Sequence, residues 1–138
     1  MVAPMGNLAV LIFGDSITPI TMMFRPLPVW ALALGLLFPL TITLAELPTY
    51  FGYVMPRLGD QLKNGWAAWL ITSVFLAAQH CFLPLILDRR FILWRFGMFL
   101  PFALFSGLML KLRPQLLPYL VIFHGLLDIA TWSTYFML

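Results

Sequence analysis

Four ionisable side chains stand inside long apolar stretches of the sequence: Glu46, His80, His124 and Asp128. A charged group near the centre of a membrane costs about 2.5–3.5 kcal/mol on insertion scales, and such groups usually face the interior of a helix bundle. A carboxylate that is shielded from bulk water beside an imidazole can act as a general base. One carboxylate and two imidazoles on separate segments therefore predict a site that activates water.

Each of these residues also has a structural explanation when it is taken alone. His80 could hydrogen-bond a neighbouring helix, and Glu46 could lie at the membrane surface. His124 and Asp128 are four residues apart, so they share one helix face and could fasten two helices together. Glu46, His80 and His124 could also form a zinc site with two histidines, one carboxylate and an open position. The residue types alone leave these interpretations open.

The composition defines the environment in which such a site would work. The chain has 138 residues, of which 62% are hydrophobic and 9% are charged, whereas soluble domains are about one quarter charged. A chain this short cannot bury so much apolar surface internally, so the lipid bilayer must be its solvent. The apolar runs are continuous over about 20 residues, which is typical of transmembrane helices rather than barrel strands. The net charge of +3 comes from loop residues, and no nucleic-acid partner is expected.

The hydropathy pattern predicts a single transmembrane domain over residues 1–138, built as an all-α bundle of four to five transmembrane helices. The apolar segments are Leu8–Phe24, Val29–Leu47 with an extension towards Pro56, Trp66–Leu87, Phe91–Leu110 and Gln115–Leu138. The first segment is the weakest, because Gly14, Asp15, Ser16 and Pro19 interrupt it. Asp15 or Ser16 could cap a short helix there.

The second segment decides the depth of Glu46. If the helix stops at Leu47, Glu46 lies near its end, and if it continues past Pro48 towards Pro56, Glu46 lies in mid-membrane. Residues 29–56 would be about 40 Å long as one helix, against a hydrocarbon core of about 30 Å. We therefore expect a long helix that is kinked or tilted, with His80 and His124 at a similar depth near the bilayer centre.

The order and spacing of the ionisable residues resemble the CPBP family of intramembrane endopeptidases, also called the Abi or CAAX-protease family. The family carries three motifs, which read E-E-x-x-x-R before a glycine and an aromatic residue, F-x-x-x-H, and H-x-x-x-N or H-x-x-x-D. Similar patterns here are Glu46–Tyr53, Leu76–His80 and His124–Asp128. The resemblance covers residues 46–128, which is essentially the core of the family.

Two of the three motifs depart from the family pattern. Leu47 stands at the place of the second glutamate, and Phe51 stands at the place of the arginine. Arg57 follows six residues later and does not fill that place. In the second motif Leu76 replaces the usual phenylalanine, although Phe75 is adjacent. The third motif matches in its aspartate form.

The resemblance implies a role for each residue of the site. Glu46 would be the general base that polarises water, and His80 would position that water or share its proton. His124 and Asp128 would stabilise the oxyanion of the tetrahedral intermediate, as preorganised donors do, and Asp128 would orient His124. The family was long described as metal-dependent and was later argued to be of the glutamate type. No cofactor is therefore favoured, and zinc held by Glu46, His80 and His124 is the alternative.

The resemblance also implies an activity and a location. The protein would be an intramembrane endopeptidase that cleaves a membrane-associated or prenylated protein or peptide, in the bacterial inner membrane. Since Leu47 and Phe51 replace family residues, a catalytically inactive member that acts as a membrane binding or bacteriocin-immunity protein is the alternative. A second alternative is an unrelated small transporter or proton-relay subunit, in which Asp15, Glu46 and the histidines would be spread across the membrane.

Overall fold

The chain folds almost entirely into helices. A computed structural model describes residues 2–23 and 28–133, and no β-strand occurs in these two ranges. The elements in chain order are α1 (Val2–Phe13), α2 (Thr18–Met23), α3 (Val29–Gly35), α4 (Leu37–Leu47), a π-helical segment (Pro48–Val54), α5 (Met55–Leu62), α6 (Gly65–Gln79), α7 (Arg89–Leu112), a 3-10 turn (Pro114–Leu116) and α8 (Leu117–Ser133). The predicted all-α class is confirmed for the described residues.

Three helical stretches in the described part of the chain are long and apolar enough to cross a membrane. They are Trp30–Leu62, Arg89–Leu112 and Pro114–Ser133. A transmembrane helix needs about 20 predominantly apolar residues, and each of these stretches meets that length. The helices are compatible with an integral membrane protein, whereas the predicted count of four to five transmembrane helices is not confirmed.

The first predicted segment, Leu8–Phe24, forms two short helices, α1 and α2, and its last residue lies outside the described residues. The break falls at Asp15, as the sequence predicts. Its Oδ1 atom accepts the backbone N–H groups of Thr18 at 2.6 Å and Ile17 at 2.7 Å, which are donors that the start of α2 leaves free. The hydrogen bonds from Thr18, and then that from Ile17, hold the pKa of Asp15 below its usual value.

The second predicted segment is one helical stretch of 33 residues, Trp30–Leu62, with a turn at Leu36 between α3 and α4. It passes both Pro48 and Pro56, and the seven residues from Pro48 to Val54 adopt the wider π-helical form. Proline lacks a backbone N–H and its ring crowds the preceding turn, so the wider turn relieves a clash that would break an α-helix. Glu46 consequently lies at the midpoint of the long helix, which agrees with the expected helix that continues past Pro48.

The third predicted segment, Trp66–Leu87, is wrong at its C-terminal end. The helix α6 has 15 residues and ends at Gln79, so it is about 22 Å long and shorter than a hydrocarbon core. Pro84 disfavours helical backbone at Leu83, and residues 80–88 continue without a regular helix. The fourth and fifth segments are confirmed as α7 and α8, although the last five residues of the fifth lie outside the described residues.

The helices α6 and α7 run antiparallel and form the best-packed part of the bundle. The indole Nε1 of Trp69 donates to the carbonyl of Leu104 at 3.1 Å, and Ser73 Oγ donates to that of Ala103 at 3.2 Å. A side chain at Gly107 would meet the ring of Phe51, because a Cβ atom there would lie 2.6 Å from Phe51 Cε1. This glycine therefore allows the long second helix to approach the α6–α7 pair closely.

Candidate active site

Glu46 is the centre of a polar cluster in the described part of the chain. Only 4% of this residue is exposed. Its Oε2 atom accepts a hydrogen bond from His124 Nε2 at 2.7 Å, and its Oε1 atom accepts one from the side-chain amide of Gln79. His80 Nε2 lies 3.5 Å from Oε1. The structure thus brings Glu46, His80 and His124 into direct contact.

The three residues meet at the same level of the long helices. Glu46 is the midpoint of Trp30–Leu62, and His124 lies near the midpoint of Pro114–Ser133. The ring of His80 stacks on Phe99, close to the middle of α7, with 3.6 Å between ring centroids. His80 and His124 therefore lie at a similar level along the helices of the bundle.

The hydrogen bonds of His80 define which of its nitrogens is free. His80 Nδ1 lies 2.8 Å from the carbonyl oxygen of Leu76, and a carbonyl can only accept, so Nδ1 carries a hydrogen. In the neutral imidazole the lone pair is then on Nε2, the atom that faces Glu46. Two acceptors, Glu46 Oε1 and His80 Nε2, consequently lie 3.5 Å apart with no hydrogen between them.

His124 and Asp128 form the third side of the cluster. Asp128 Oδ2 lies 3.5 Å from His124 Nε2 and 3.3 Å from Thr43 Oγ1, whose hydrogen points to the nearer carbonyl of Pro39. Gly125 lies next to Thr43, where a Cβ atom would come within 3.3 Å of Thr43 Cγ2, so α8 packs closely against α4. Because Nε2 is nearer to Glu46 than to Asp128, the imidazole of His124 orients the Glu46 carboxylate in this arrangement.

Gln79 and Tyr50 are parts of the cluster to which the sequence analysis assigns no role. The Tyr50 hydroxyl donates to Gln79 Oε1 at 2.7 Å, which turns the amide nitrogen of Gln79 towards Glu46. An amide has one acceptor and two donors at opposite sides, so fixing one side fixes the other. The sequence could have pointed to Gln79, because it is an uncharged polar residue directly before His80 in an otherwise apolar stretch.

Arg95, in the second turn of α7, is a buried basic residue beside the site. An arginine so near a helix end could extend to the membrane surface, but Arg95 is only 8% exposed. Its Nε donates to the carbonyl of His80 at 3.2 Å, and Nη2 donates to that of Leu83 at 2.7 Å. Beyond the end of α6 the backbone carbonyls have no helical N–H donors, and the Arg95 guanidinium donates to two of them instead. Arg95 therefore holds the backbone that carries His80.

Replacing Tyr50 by phenylalanine is expected to lower the free energy of unfolding by about 1 kcal/mol, because Gln79 Oε1 then loses its donor. Tyr119→Phe is the matched control, since Tyr119 is 69% exposed, and it should change stability by less than about 0.5 kcal/mol. Denaturant unfolding in detergent measures both variants. Equal stability of Tyr50→Phe and Tyr119→Phe would show that Tyr50 does not fix the Gln79 amide.

The arrangement of the ionisable groups also bears on the relay alternative. That interpretation predicts Asp15, Glu46 and the histidines spread along a path across the membrane. Asp15 instead bonds within its own turn, with its carboxylate on Thr18 and Ile17. His80, His124 and Asp128 are instead clustered around Glu46. A cluster is what the peptidase interpretation and the inactive-member interpretation both predict.

The same residues do not fit a zinc site in this arrangement. Zinc ligands each bind the metal at about 2.0–2.2 Å through free lone pairs. Here the Glu46 and His124 atoms that would serve as ligands share a hydrogen bond of 2.7 Å. Within residues 2–23 and 28–133, no group of three His, Cys, Asp or Glu side chains is placed to hold a metal ion.

Comparison with known proteins adds no relative to this picture. The sequence matches no family model and no curated protein, and the fold matches no solved structure. The resemblance to the CPBP family therefore depends on the three sequence motifs alone.

Proposed function

We propose that this protein is an intramembrane endopeptidase of the CPBP type, in which Glu46 and His80 activate water to cleave a membrane-associated protein or peptide. One observation carries the proposal: a buried carboxylate contacts two imidazoles at the middle of the spanning helices. Water must be activated at this level if a peptide bond is to be cut inside the membrane. The three residues come from the three motifs that resemble the family.

The water would lie between Glu46 Oε1 and His80 Nε2. These acceptors are 3.5 Å apart, so one water molecule at about 2.8 Å from each can donate both of its hydrogens to them. Glu46 takes one proton as the water oxygen bonds to the scissile carbonyl carbon. When the carbon–nitrogen bond breaks, Glu46 returns that proton to the leaving amine. His80 keeps the water oriented throughout.

The donor for the oxyanion would become available in the same step. In the resting site, His124 Nε2–H is engaged by the Glu46 carboxylate. Protonation of Glu46 removes the negative charge that holds this N–H group, so His124 can turn it towards the oxyanion. Asp128 lies 3.5 Å from the same nitrogen and stabilises the imidazole as it turns. This order combines the observed contact with the role that the resemblance implies.

We also propose four transmembrane passes in a bacterial inner membrane. Three of these passes are the long stretches Trp30–Leu62, Arg89–Leu112 and Pro114–Ser133. The remaining pass, second in chain order, is α6 together with residues 80–88. α6 begins at Gly65, beside Lys111 at one end of α7, and residue 88 precedes the first residue at the other end of α7. The irregular segment thus completes a crossing that the 15-residue helix begins. Irregular backbone is tolerated at membrane depth when protein donors satisfy it, as Arg95 does here.

The test is cleavage of a panel of membrane-proximal peptides, including prenylated ones, by the purified protein in detergent. We expect cleavage that is indifferent to a metal chelator. In ¹⁸O-labelled water, the N-terminal product of each cleavage should carry one ¹⁸O atom in its new carboxyl group and the C-terminal product none, because water is the nucleophile. A folded protein that cleaves no peptide of the panel would contradict the proposal, as would cleavage that stops when the chelator is added.

Two observations favour a second candidate, a catalytically inactive relative that binds a membrane partner. Phe51 stands where the family has arginine, is 3% exposed, and packs on Gly107. Both oxygens of Glu46 also have protein donors already. This candidate predicts a stable protein that binds a membrane peptide without cutting it, so product analysis of the same panel separates the two functions.

A further inference from the structure

A cavity of about 550 Å³ lies at one end of the bundle, away from the Glu46 cluster. It is bounded by the turn between α5 and α6 and by the connection between α7 and α8. Neither Glu46 nor either histidine lines it. The cavity is therefore a feature that the proposed peptidase mechanism does not use.

The walls of the cavity differ between its floor and its rim. The floor is apolar, with Phe51, Met55, Leu110 and Leu117, of which the first three are buried. The rim is polar, with Asp60, Lys63, Asn64 and Lys111. A ligand that matches both parts must have an apolar portion and a charged head.

The charged part of the rim is open to an anion. Neither Lys63 nor Lys111 forms an ion pair with a carboxylate of the described residues. The Lys111 ammonium lies 4.7 Å from the centre of the Trp66 ring and against Gly65, where a Cβ atom would be 2.6 Å from Nζ. The missing side chain at Gly65 leaves the space that this ammonium occupies at the cavity.

The position of the rim agrees with the level of lipid headgroups. Lys111 lies in the last turn of the spanning helix α7, and its partner Trp66 is of the residue type enriched at membrane surfaces. Arg57 lies within α5 and Arg113 directly follows α7, so this end of the bundle carries four of the eight basic residues of the chain. Basic residues at this level attract anionic headgroups.

We propose that this cavity binds one anionic phospholipid, with its phosphate between Lys63 and Lys111 and an acyl chain along the apolar floor. Net positive charge at the rim selects an anionic over a zwitterionic head. The apolar floor distinguishes the lipid from free phosphate, which shares only the head chemistry. The proposal stands whether or not the protein is a peptidase.

Native mass spectrometry of the protein in detergent tests this site with dihexanoyl phosphatidylglycerol as the probe. We expect one bound lipid, weaker binding of dihexanoyl phosphatidylcholine, and no displacement of the lipid by inorganic phosphate at equal concentration. Lys63→Gln and Lys111→Gln should each weaken binding of the anionic lipid about fivefold, the usual contribution of one lysine near an anionic headgroup. Arg89→Gln and Arg90→Gln, at the opposite end of α7, should leave it unchanged.

Lys63 is exposed in a turn, so its variant is expected to fold even if Lys111→Gln is unstable. The proposal is overturned if Lys63→Gln binds the anionic lipid as tightly as the parent does. It is equally overturned if phosphatidylcholine binds as well as phosphatidylglycerol, or if inorganic phosphate competes on equal terms with the lipid.

Discussion

Glu46→Gln is expected to reduce peptide cleavage by about 100-fold or more while the bundle stays folded, because a general base contributes about 10²–10⁴ to the rate. The amide is isosteric with the carboxylate but takes no proton from water. Its oxygen can still accept from Gln79, and its nitrogen can donate to His124 Nε2 once that imidazole changes tautomer. The loss should therefore be chemical rather than structural.

Peptide cleavage and thermal unfolding of the same preparations measure this effect. Asp15→Asn is the matched control, since it makes the same chemical change in a carboxylate that caps a helix, and asparagine caps equally well. The control should keep both activity and stability. If Glu46→Gln cleaves at a rate close to that of the parent, Glu46 is not the base.

Arg95→Met is expected to cause a large loss of stability, about 3 kcal/mol or more. The guanidinium is buried and donates to the carbonyls of His80 and Leu83. Methionine retains most of the apolar stem but leaves these carbonyls without their donor, and each unsatisfied buried group costs about 1–3 kcal/mol. Cleavage should fall as well, because the backbone of His80 loses its support.

Unfolding by denaturant in detergent measures this difference. Arg89→Met is the matched control, since Arg89 is exposed at the start of α7, and it should change stability by no more than about 0.5 kcal/mol. Similar stabilities for the two variants would mean that Arg95 does not support the end of α6. The irregular segment at residues 80–88 would then need another source of order.

Much of the fold follows from hydropathy, and the exceptions have local causes. The fourth and fifth segments match α7 and α8 because each is a continuous apolar run between charged or proline-containing turns. The end of α6 could not be read in the same way, since residues 80–88 are as apolar as a helix. Pro84 disfavours helical backbone at Leu83, and the distant Arg95 donates to the carbonyls of His80 and Leu83, and hydropathy reports neither.

The candidate site was predictable in its residues but not in its contacts. Charge in an apolar run is costly, so Glu46, His80 and His124 can be recognised from residue type and depth. Gln79 and Tyr50 carry no charge, and their importance appears only when the π-helical turn brings Tyr50 within 2.7 Å of Gln79. Sequence spacing on an ideal helix does not report a change of helical pitch.

A double-mutant cycle of cleavage rates, with Glu46→Gln, His124→Ala and the double variant, each checked to be folded, tests whether Glu46 and His124 act together in catalysis. Residues that act as one catalytic unit show strongly non-additive losses. The hydrogen bond of 2.7 Å between the two side chains predicts that the double variant is about as slow as Glu46→Gln alone. Losses that multiply would mean that the two residues act independently, and the water-activating cluster around Glu46 would be contradicted.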